Sequence, residues 1–275
     1  MIDGAWRRAR IARHGRAVVR LAVLGASLAA WVAAELAVGL APVAGAAVRR
    51  ARVRRAWARA ASRIIGMRVV ASGAPPRGPV VLVANHMSYV DIVALMTQCP
   101  AVFVAKSEVA GWPGIGWIAR RIGTLFIERA RVRDILRIVD GMRDALERGD
   151  PVAFFPEATT TSGRDVAPFK SSLFEAAART GAPVVCATLR FVTDDPADHP
   201  TDRICWWGDM TFADHLYALL GVRGFETHVH FAPEPLRSQD RKELARASRA
   251  LVEASFEPVA VASASASRTA ERLRA

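Results

Sequence analysis

Acidic residues are nearly missing from the first quarter of this chain. Residues 1–70 hold fourteen arginines against Asp3 and Glu35 alone, while the remainder balances its charges. The whole net charge of +12 over 275 residues therefore belongs to the N-terminal segment. Cysteine is scarce as well. Cys99, Cys186 and Cys205 form no C-x-x-C pair and leave one over, which argues against a disulfide framework and fits a reducing compartment. No cluster has metal-ligand spacing; His228 and His230 alternate as on a strand face, and no metal is expected. G-x-S-x-G, Walker A and G-x-G-x-x-G are absent. That argues against a thioesterase or lipase built on a serine elbow, and against nucleotide-binding folds of those types. There is no internal repeat.

What is present begins with a basic arm: Arg7, Arg8, Arg10, Arg13, Arg16 and Arg20. Residues 21–48 follow with one charge, Glu35, a run long enough to span a bilayer. Arginines 49, 50, 52, 54 and 55 come next, so both flanks are basic and charge asymmetry assigns no orientation. Two arrangements satisfy this pattern: a single span, or a helical hairpin broken near Gly39-Leu40-Ala41-Pro42. Residues 51–66 read as a basic amphipathic helix at a membrane surface, with Trp57, Ile64 and Ile65. So basic a chain first suggests nucleic acid. Arginines flanking an apolar run point to anionic membrane lipids instead, and no nucleic-acid partner is expected. The organisation expected is an anchoring segment over 1–66, a globular domain over 67–257 and a disordered Ala/Ser-rich tail over 258–275.

Within the domain, short apolar runs alternate with helical patterns, predicting an α/β fold with a mixed or parallel central sheet flanked by helices. The run Val80–Ala84 reads as a buried strand. It ends in Asn85-His86-Met87-Ser88-Tyr89-Val90-Asp91, with Ser88 as a candidate helix N-cap. Of the six histidines, His86 alone has an aspartate five positions later. A carboxylate folding back onto that imidazole would fix its tautomer and stabilise the imidazolium, making His86 a general base. Residues 111–121, with Trp112, Trp117, Arg120 and Arg121, suit either a headgroup boundary or core beneath a loop. Phe225–Ala232 alternates and reads as an edge strand.

Four stretches in order resemble the glycerolipid acyltransferase family, which includes the 1-acylglycerol-3-phosphate acyltransferases. Asn85 to Asp91 resembles its N-H-x4-D motif. Gly123-Thr124-Leu125-Phe126-Ile127-Glu128-Arg129 is similar to G-x-x-F-I-x-R, in which the arginine grips the acceptor head group. Phe155-Pro156-Glu157-Ala158-Thr159-Thr160 is similar to F-P-E-G-T-R, with Ala158 for the glycine and Thr160 for the arginine. Ala182-Pro183-Val184-Val185-Cys186 resembles the fourth motif, V-P-V-x-P, less closely, with Cys186 for its last proline. Trp206-Trp207-Gly208-Asp209-Met210 loosely resembles the subgroup linked to ornithine lipids.

The resemblance implies a membrane-facing site that moves an acyl group from acyl-CoA or acyl carrier protein to a lysolipid hydroxyl, with no cofactor. His86 and Asp91 would be catalytic. Asn85, Ser88, Gly123, Phe126, Arg129, Glu157, Thr159 and Lys170 would bind substrate, with Glu157 holding the acceptor or ordering its loop. Lysophosphatidate is the acceptor the family leads one to expect. Lyso-ornithine lipid is the alternative, because a phosphate-gripping arginine is missing at Thr160 unless Arg164, Lys170 or Arg129 compensates. A non-catalytic lipid-binding protein of the same fold is the rival of another class. The expected location is the inner (cytoplasmic) membrane, catalytic domain on the cytoplasmic side.

Overall fold

In the computed structural model, residues 2–40, 46–112, 115–128 and 132–261 are described. Two helices lead: α1 (Ile2–Leu40) and α2 (Ala46–Ile64). Then come β1 (Met67–Ser72), β2 (Val81–Ala84), α3 (Val90–Gln98), β3 (Val102–Lys106), α4 (Ile115–Arg121) and β4 (Leu125–Ile127). The second half holds α5 (Val132–Glu147), β5 (Val152–Phe154), α6 (Glu175–Thr180), β6 (Val184–Thr193), α7 (Pro200–Arg203), α8 (Phe212–Gly221), β7 (Phe225–Phe231), α9 (Arg241–Ser255) and β8 (Ala260–Val261).

The strands form one mixed sheet in the order β1-β7-β6-β2-β5-β3-β4, with β8 beside β6. The β6–β7 pair is antiparallel and the other strand pairs are parallel. A side-chain period of two sends Leu82 and Ala84 to one face of β2, Val81 and Val83 to the other. The first pair joins a core with Ala17, Ala58, Leu95 and Leu219 of α1, α2, α3 and α8. The second joins Ile138, Ala176 and Leu244 of α5, α6 and α9. Central strands buried on both faces explain the continuous apolar runs.

The N-terminal helices lie antiparallel. Trp31 and Trp57 have ring centroids 5.6 Å apart, and Glu35 Oε1 lies 3.6 Å from Arg54 Nε. This side-by-side packing is what the hairpin reading expects; of the break expected near residues 39–42, Gly39 and Leu40 end α1 and residues 41–42 lie outside the described residues. The stretch Arg7–Ala37 of α1 is long and apolar enough to cross a membrane, and 11% of its most apolar window is buried.

Several expectations change. The anchoring segment is built into the domain, since Ala17, Ala58 and Ile65 are core residues. Its arginines do not all face outward. Arg16 Nε and Nη2 donate to the Gly221 carbonyl at 3.1 and 2.9 Å, and Arg20 Nη1 donates to Leu220 at 3.1 Å. Arg55 donates to the carbonyls of Thr97 and Gln98, and Arg13 pairs at 2.8 Å with the buried Asp198. The last carbonyls of a helix lack intrahelical donors and sit at its negative end, so guanidinium groups cap α8 and α3. β7 is interior, not an edge: its alternation reports that one face is only partly covered. The start of the tail is ordered, because Val259 N–H donates to the Gly163 carbonyl at 3.0 Å and β8 pairs with β6. Residues 262–275 lie outside the described residues.

Candidate active site

The site begins where β2 stops. The Asn85 side chain donates to the Leu189 carbonyl at 3.0 Å and accepts the Leu189 N–H at 2.7 Å. This reciprocal bond carries the β2–β6 pairing one residue further. It also occupies both ends of the amide in a residue 1% exposed, so the geometry gives Asn85 the role of shaping the loop.

His86 follows. Its Nδ1–H donates to Asp91 Oδ2 at 2.8 Å. The same oxygen accepts the N–H groups of Met87 and Ser88 at 2.7 and 2.9 Å. Three donors on one carboxylate oxygen hold Asp91 in place. The proton is thereby assigned to Nδ1, which leaves Nε2 as the nitrogen free to accept one. The imidazole stacks on Phe155 at 3.8 Å and 8°, which fixes its plane. Ser88 does not cap α3: Tyr89 occupies that position without a side-chain bond. The Ser88 side chain is fully buried and its Oγ has no hydrogen-bond partner among the described residues. The Asp91 carboxylate gathers the loop amides in its place.

The loop after β5 holds the backbone of His86 from both sides. Glu157 Oε1 accepts the His86 N–H at 2.5 Å, and Oε2 accepts the Ala167 N–H at 2.7 Å. Thr161 donates to the His86 carbonyl through its N–H at 2.9 Å and its hydroxyl at 3.2 Å. Glu157 is 3% exposed. Burial pushes its carboxyl up to about 7, against the two amide bonds that favour the charged form. Of the two roles expected for it, ordering the loop is the one the geometry gives. Between these contacts Ala158 takes φ 67°, the left-handed region where the family motif has its glycine.

His86 opens onto a cavity of about 720 Å³. Its walls include Leu24 and Leu28 of α1, Trp57 of α2, Met96 of α3 and Ile118 of α4. Trp112, Trp206, Phe212 and Tyr89 form an aromatic cluster on another side, with ring centroids 5.0–6.3 Å apart. Trp112 therefore packs against other aromatic rings beneath the loop, while Trp117 is 49% exposed. Thr159, Thr160, Lys106 and Glu108 supply polar lining. Lys170 lines a smaller cavity of about 250 Å³ behind Phe155 and Ala158. Its helix is a short turn, Ser172–Phe174, running into α6.

Gly123 and Phe126 line neither cavity. Gly123, at φ 79°, turns the chain after α4. Phe126 lies under the Arg120 guanidinium at 5.6 Å, and its carbonyl accepts from Arg137. Both serve the β4 edge. Arg129 lies outside the described residues. Arg164 is exposed and lines neither cavity. Sequence reasoning missed Phe155 and Thr161. Phe155 was legible as the first letter of the third motif; nothing local marked Thr161.

The thiols offer no nucleophile. Cys99, Cys186 and Cys205 are buried, and burial pushes Cys99 up to about 12 and Cys186 up to about 11. Burial favours the neutral thiol, the poorer nucleophile.

The family model described as Acyltransferase matches residues 66–190. A lyso-ornithine lipid O-acyltransferase of Pseudomonas aeruginosa is 35% identical over 89% of this chain and 93% of its own. A 1-acyl-sn-glycerol-3-phosphate acyltransferase of Neisseria meningitidis serogroup B is 36% identical over 62% of this chain and 66% of its own. The crystal structure of the 1-acyl-sn-glycerophosphate acyltransferase PlsC from Thermotoga maritima shares the fold. It gives a TM-score of 0.70 over 97% of this chain and 98% of that one, at 18% identity.

Proposed function

The chain belongs to the glycerolipid acyltransferase family, and from that premise we propose that it acylates the free hydroxyl of a lysolipid at the surface of a membrane. The observation that carries this reading is the His86–Asp91 pair at the wall of a large apolar cavity. The acceptor hydroxyl gives its proton to His86 Nε2 as its oxygen attacks the thioester carbonyl of acyl-CoA or an acyl carrier protein. The Asp91 carboxylate stabilises the imidazolium that forms. Collapse of the tetrahedral species expels the thiolate, which takes the proton from His86. No acyl-enzyme is needed, and the buried thiols offer none. An apolar cavity holds acyl chain and limits hydrolysis of the thioester.

The acceptor is lysophosphatidate or a zwitterionic lyso-aminolipid such as lyso-ornithine lipid. The charge inventory favours the second. Among the described residues lining the cavity, Lys106 is a cation, Glu108 a carboxylate, and Thr160 stands where the motif has arginine. The hairpin of α1 and α2, with its exposed Val18, Val19, Leu21 and Val23, would rest in an anionic bilayer, the inner membrane with the domain on its cytoplasmic side.

Purified protein, offered a panel of lysolipids with labelled acyl-CoA and labelled acyl carrier protein, tests this reading. Label appearing in a diacylated lipid, and lost in His86→Ala, supports it. Lipid binding without transfer to any acceptor overturns it in favour of a non-catalytic binding protein.

A further inference from the structure

His215 on α8 takes no part in the chemistry above, yet it is 5% exposed. A buried imidazole loses its hydration, and the loss is offset only where it finds a partner. Its side-chain partner is Tyr89, whose hydroxyl lies 3.0 Å from His215 Nδ1, and the Cys205 backbone also hydrogen-bonds to the ring. The rings are perpendicular, with centroids 5.5 Å apart. A phenol can donate only to an unprotonated ring nitrogen. Burial holds His215 below the ordinary histidine value, so the neutral acceptor is present near pH 7.

The position of this bond matters. Tyr89 lies between His86 and Asp91 in the catalytic loop and lines the cavity. Its ring meets Trp206 at 5.9 Å and Phe212 at 5.0 Å. The same loop accepts the Trp206 N–H on the Met87 carbonyl at 2.8 Å. At the other end of α8, Arg16 and Arg20 of α1 hold the final carbonyls. Helix α8 is thus a strut between the N-terminal hairpin and the catalytic loop, and the Tyr89–His215 bond is its polar attachment to that loop. Aromatic packing alone lets a ring slide or turn. One directed hydrogen bond fixes the Tyr89 ring, and with it the wall beside His86.

We propose that His215 is a positioning residue for acyl transfer: by accepting the Tyr89 hydroxyl it fixes the aromatic wall against which the acceptor is placed. The proposal rests on the lysolipid reading above.

The test is steady-state kinetics with the lysolipid varied at saturating acyl thioester. The enzymes are wild type, Tyr89→Phe, His215→Leu, His215→Asn and the Tyr89→Phe/His215→Leu double variant. Tyr89→Phe removes one oxygen and keeps the ring, so it reads the bond even where His215→Leu folds poorly. We expect Tyr89→Phe and His215→Leu each to raise the acceptor KM by about tenfold, the scale of one lost hydrogen bond, with the donor KM unchanged. Asparagine, whose Oδ1 can accept the same hydroxyl, should recover most of that loss. The double variant should be no worse than the worse single, because both remove one interaction. A wild-type acceptor KM in Tyr89→Phe overturns the proposal. So does His215→Asn as impaired as His215→Leu, or a double variant whose losses multiply. If the wild type acylates no lysolipid, the lysolipid reading falls and takes this one with it. If it does and the variants match it, the role of His215 alone falls.

Discussion

The Glu157 carboxylate accepts the backbone N–H of His86 at 2.5 Å, from a loop 71 residues further along the chain. His86 is therefore held at three points: ring nitrogen by Asp91, amide by Glu157, carbonyl by Thr161. Glu157→Gln keeps the shape but turns one acceptor into an amide donor facing N–H. A charge-assisted bond of this kind contributes about 1.5–3 kcal/mol, so turnover should fall by about tenfold to a hundredfold. Turnover of Glu157→Gln equal to wild type would show that this clamp does not matter.

Glu157 also sets a pH dependence. Its carboxyl lies at about 7 in the folded chain against 4.5 ordinarily. The folded state therefore binds this proton more tightly, and the resulting stability is present below pH 4.5 and is lost as pH rises through 7. The clamp works in the opposite sense, because only the carboxylate accepts both amides. Activity should rise between pH 6 and 8, and the Glu157 contribution to thermal stability should fall between pH 4.5 and 7. Melting curves of wild type and Glu157→Gln across that window check the sign: the difference between them should change with pH, and a constant difference contradicts it.

The His86–Asp91 pair makes its own prediction. His86→Ala should lower turnover by about 10²–10⁴, the scale of a positioned acid–base group. Asp91→Asn removes the charge that favours the imidazolium and presents a donor or a weaker acceptor to Nδ1, and should fall in the same range. Single-turnover transfer by folded, membrane-bound protein is the measurement. Wild-type rates in His86→Ala would remove it from the mechanism.

Ala158 at φ 67° carries a side chain where glycine is at ease. Relief of that backbone strain in Ala158→Gly, less the extra freedom glycine has when unfolded, should stabilise by about 0.5–1 kcal/mol. That corresponds to a rise of about 1–4 °C in Tm for a chain of this size. Calorimetry on the two proteins decides, and a lower Tm would mean that the alanine methyl contributes more by contact than it costs in strain.

The N-terminal helices lead to a prediction that the sequence alone would have put differently. An anchor that merely tethers could be cut away to leave a soluble domain. Here Ala17 and Trp31 are buried, and Leu21, Leu24 and Leu28 wall the cavity. Deleting residues 1–50 should expose that face and yield aggregate. Fractionation followed by size-exclusion chromatography distinguishes the outcomes: a monodisperse, active truncation would mean that the hairpin is only a tether.

The contrast shows what local pattern carries. The strands of the sheet were legible because those buried on both faces are continuous apolar runs, and His86 with Asp91 because five positions of sequence enclose the whole interaction. Glu157 and Thr161 were not legible as a clamp, since their partners are backbone groups brought near only by the sheet. Asn85 was singled out as the first letter of the N-H-x4-D motif, and its amide continuing the β2–β6 pairing was not legible, because Leu189 is brought near only by the sheet. That Arg16, Arg20 and Arg55 cap helix ends was not legible, because charge is visible in sequence and helix ends in space are not. β7 looked like an edge because alternation marks a half-covered face, and an interior strand can have one.

The acceptor remains the sharpest chemical choice, and Thr160 is the residue that tests it. It lines the cavity where the motif has arginine, and Lys106 is a cation among the described residues there. A phosphate monoester held by one fewer guanidinium lacks a charge-assisted contact of about 1.5–3 kcal/mol, or about tenfold to a hundredfold in affinity. A zwitterionic head group loses much less, because its own cation is repelled by an added arginine. Competition between lyso-ornithine lipid and lysophosphatidate at equal concentration should therefore favour the aminolipid in wild type. Thr160→Arg should shift the product ratio towards phosphatidate by about tenfold. If wild type prefers lysophosphatidate and Thr160→Arg leaves the ratio unmoved, the phosphate is held elsewhere and the residue at 160 does not select the acceptor.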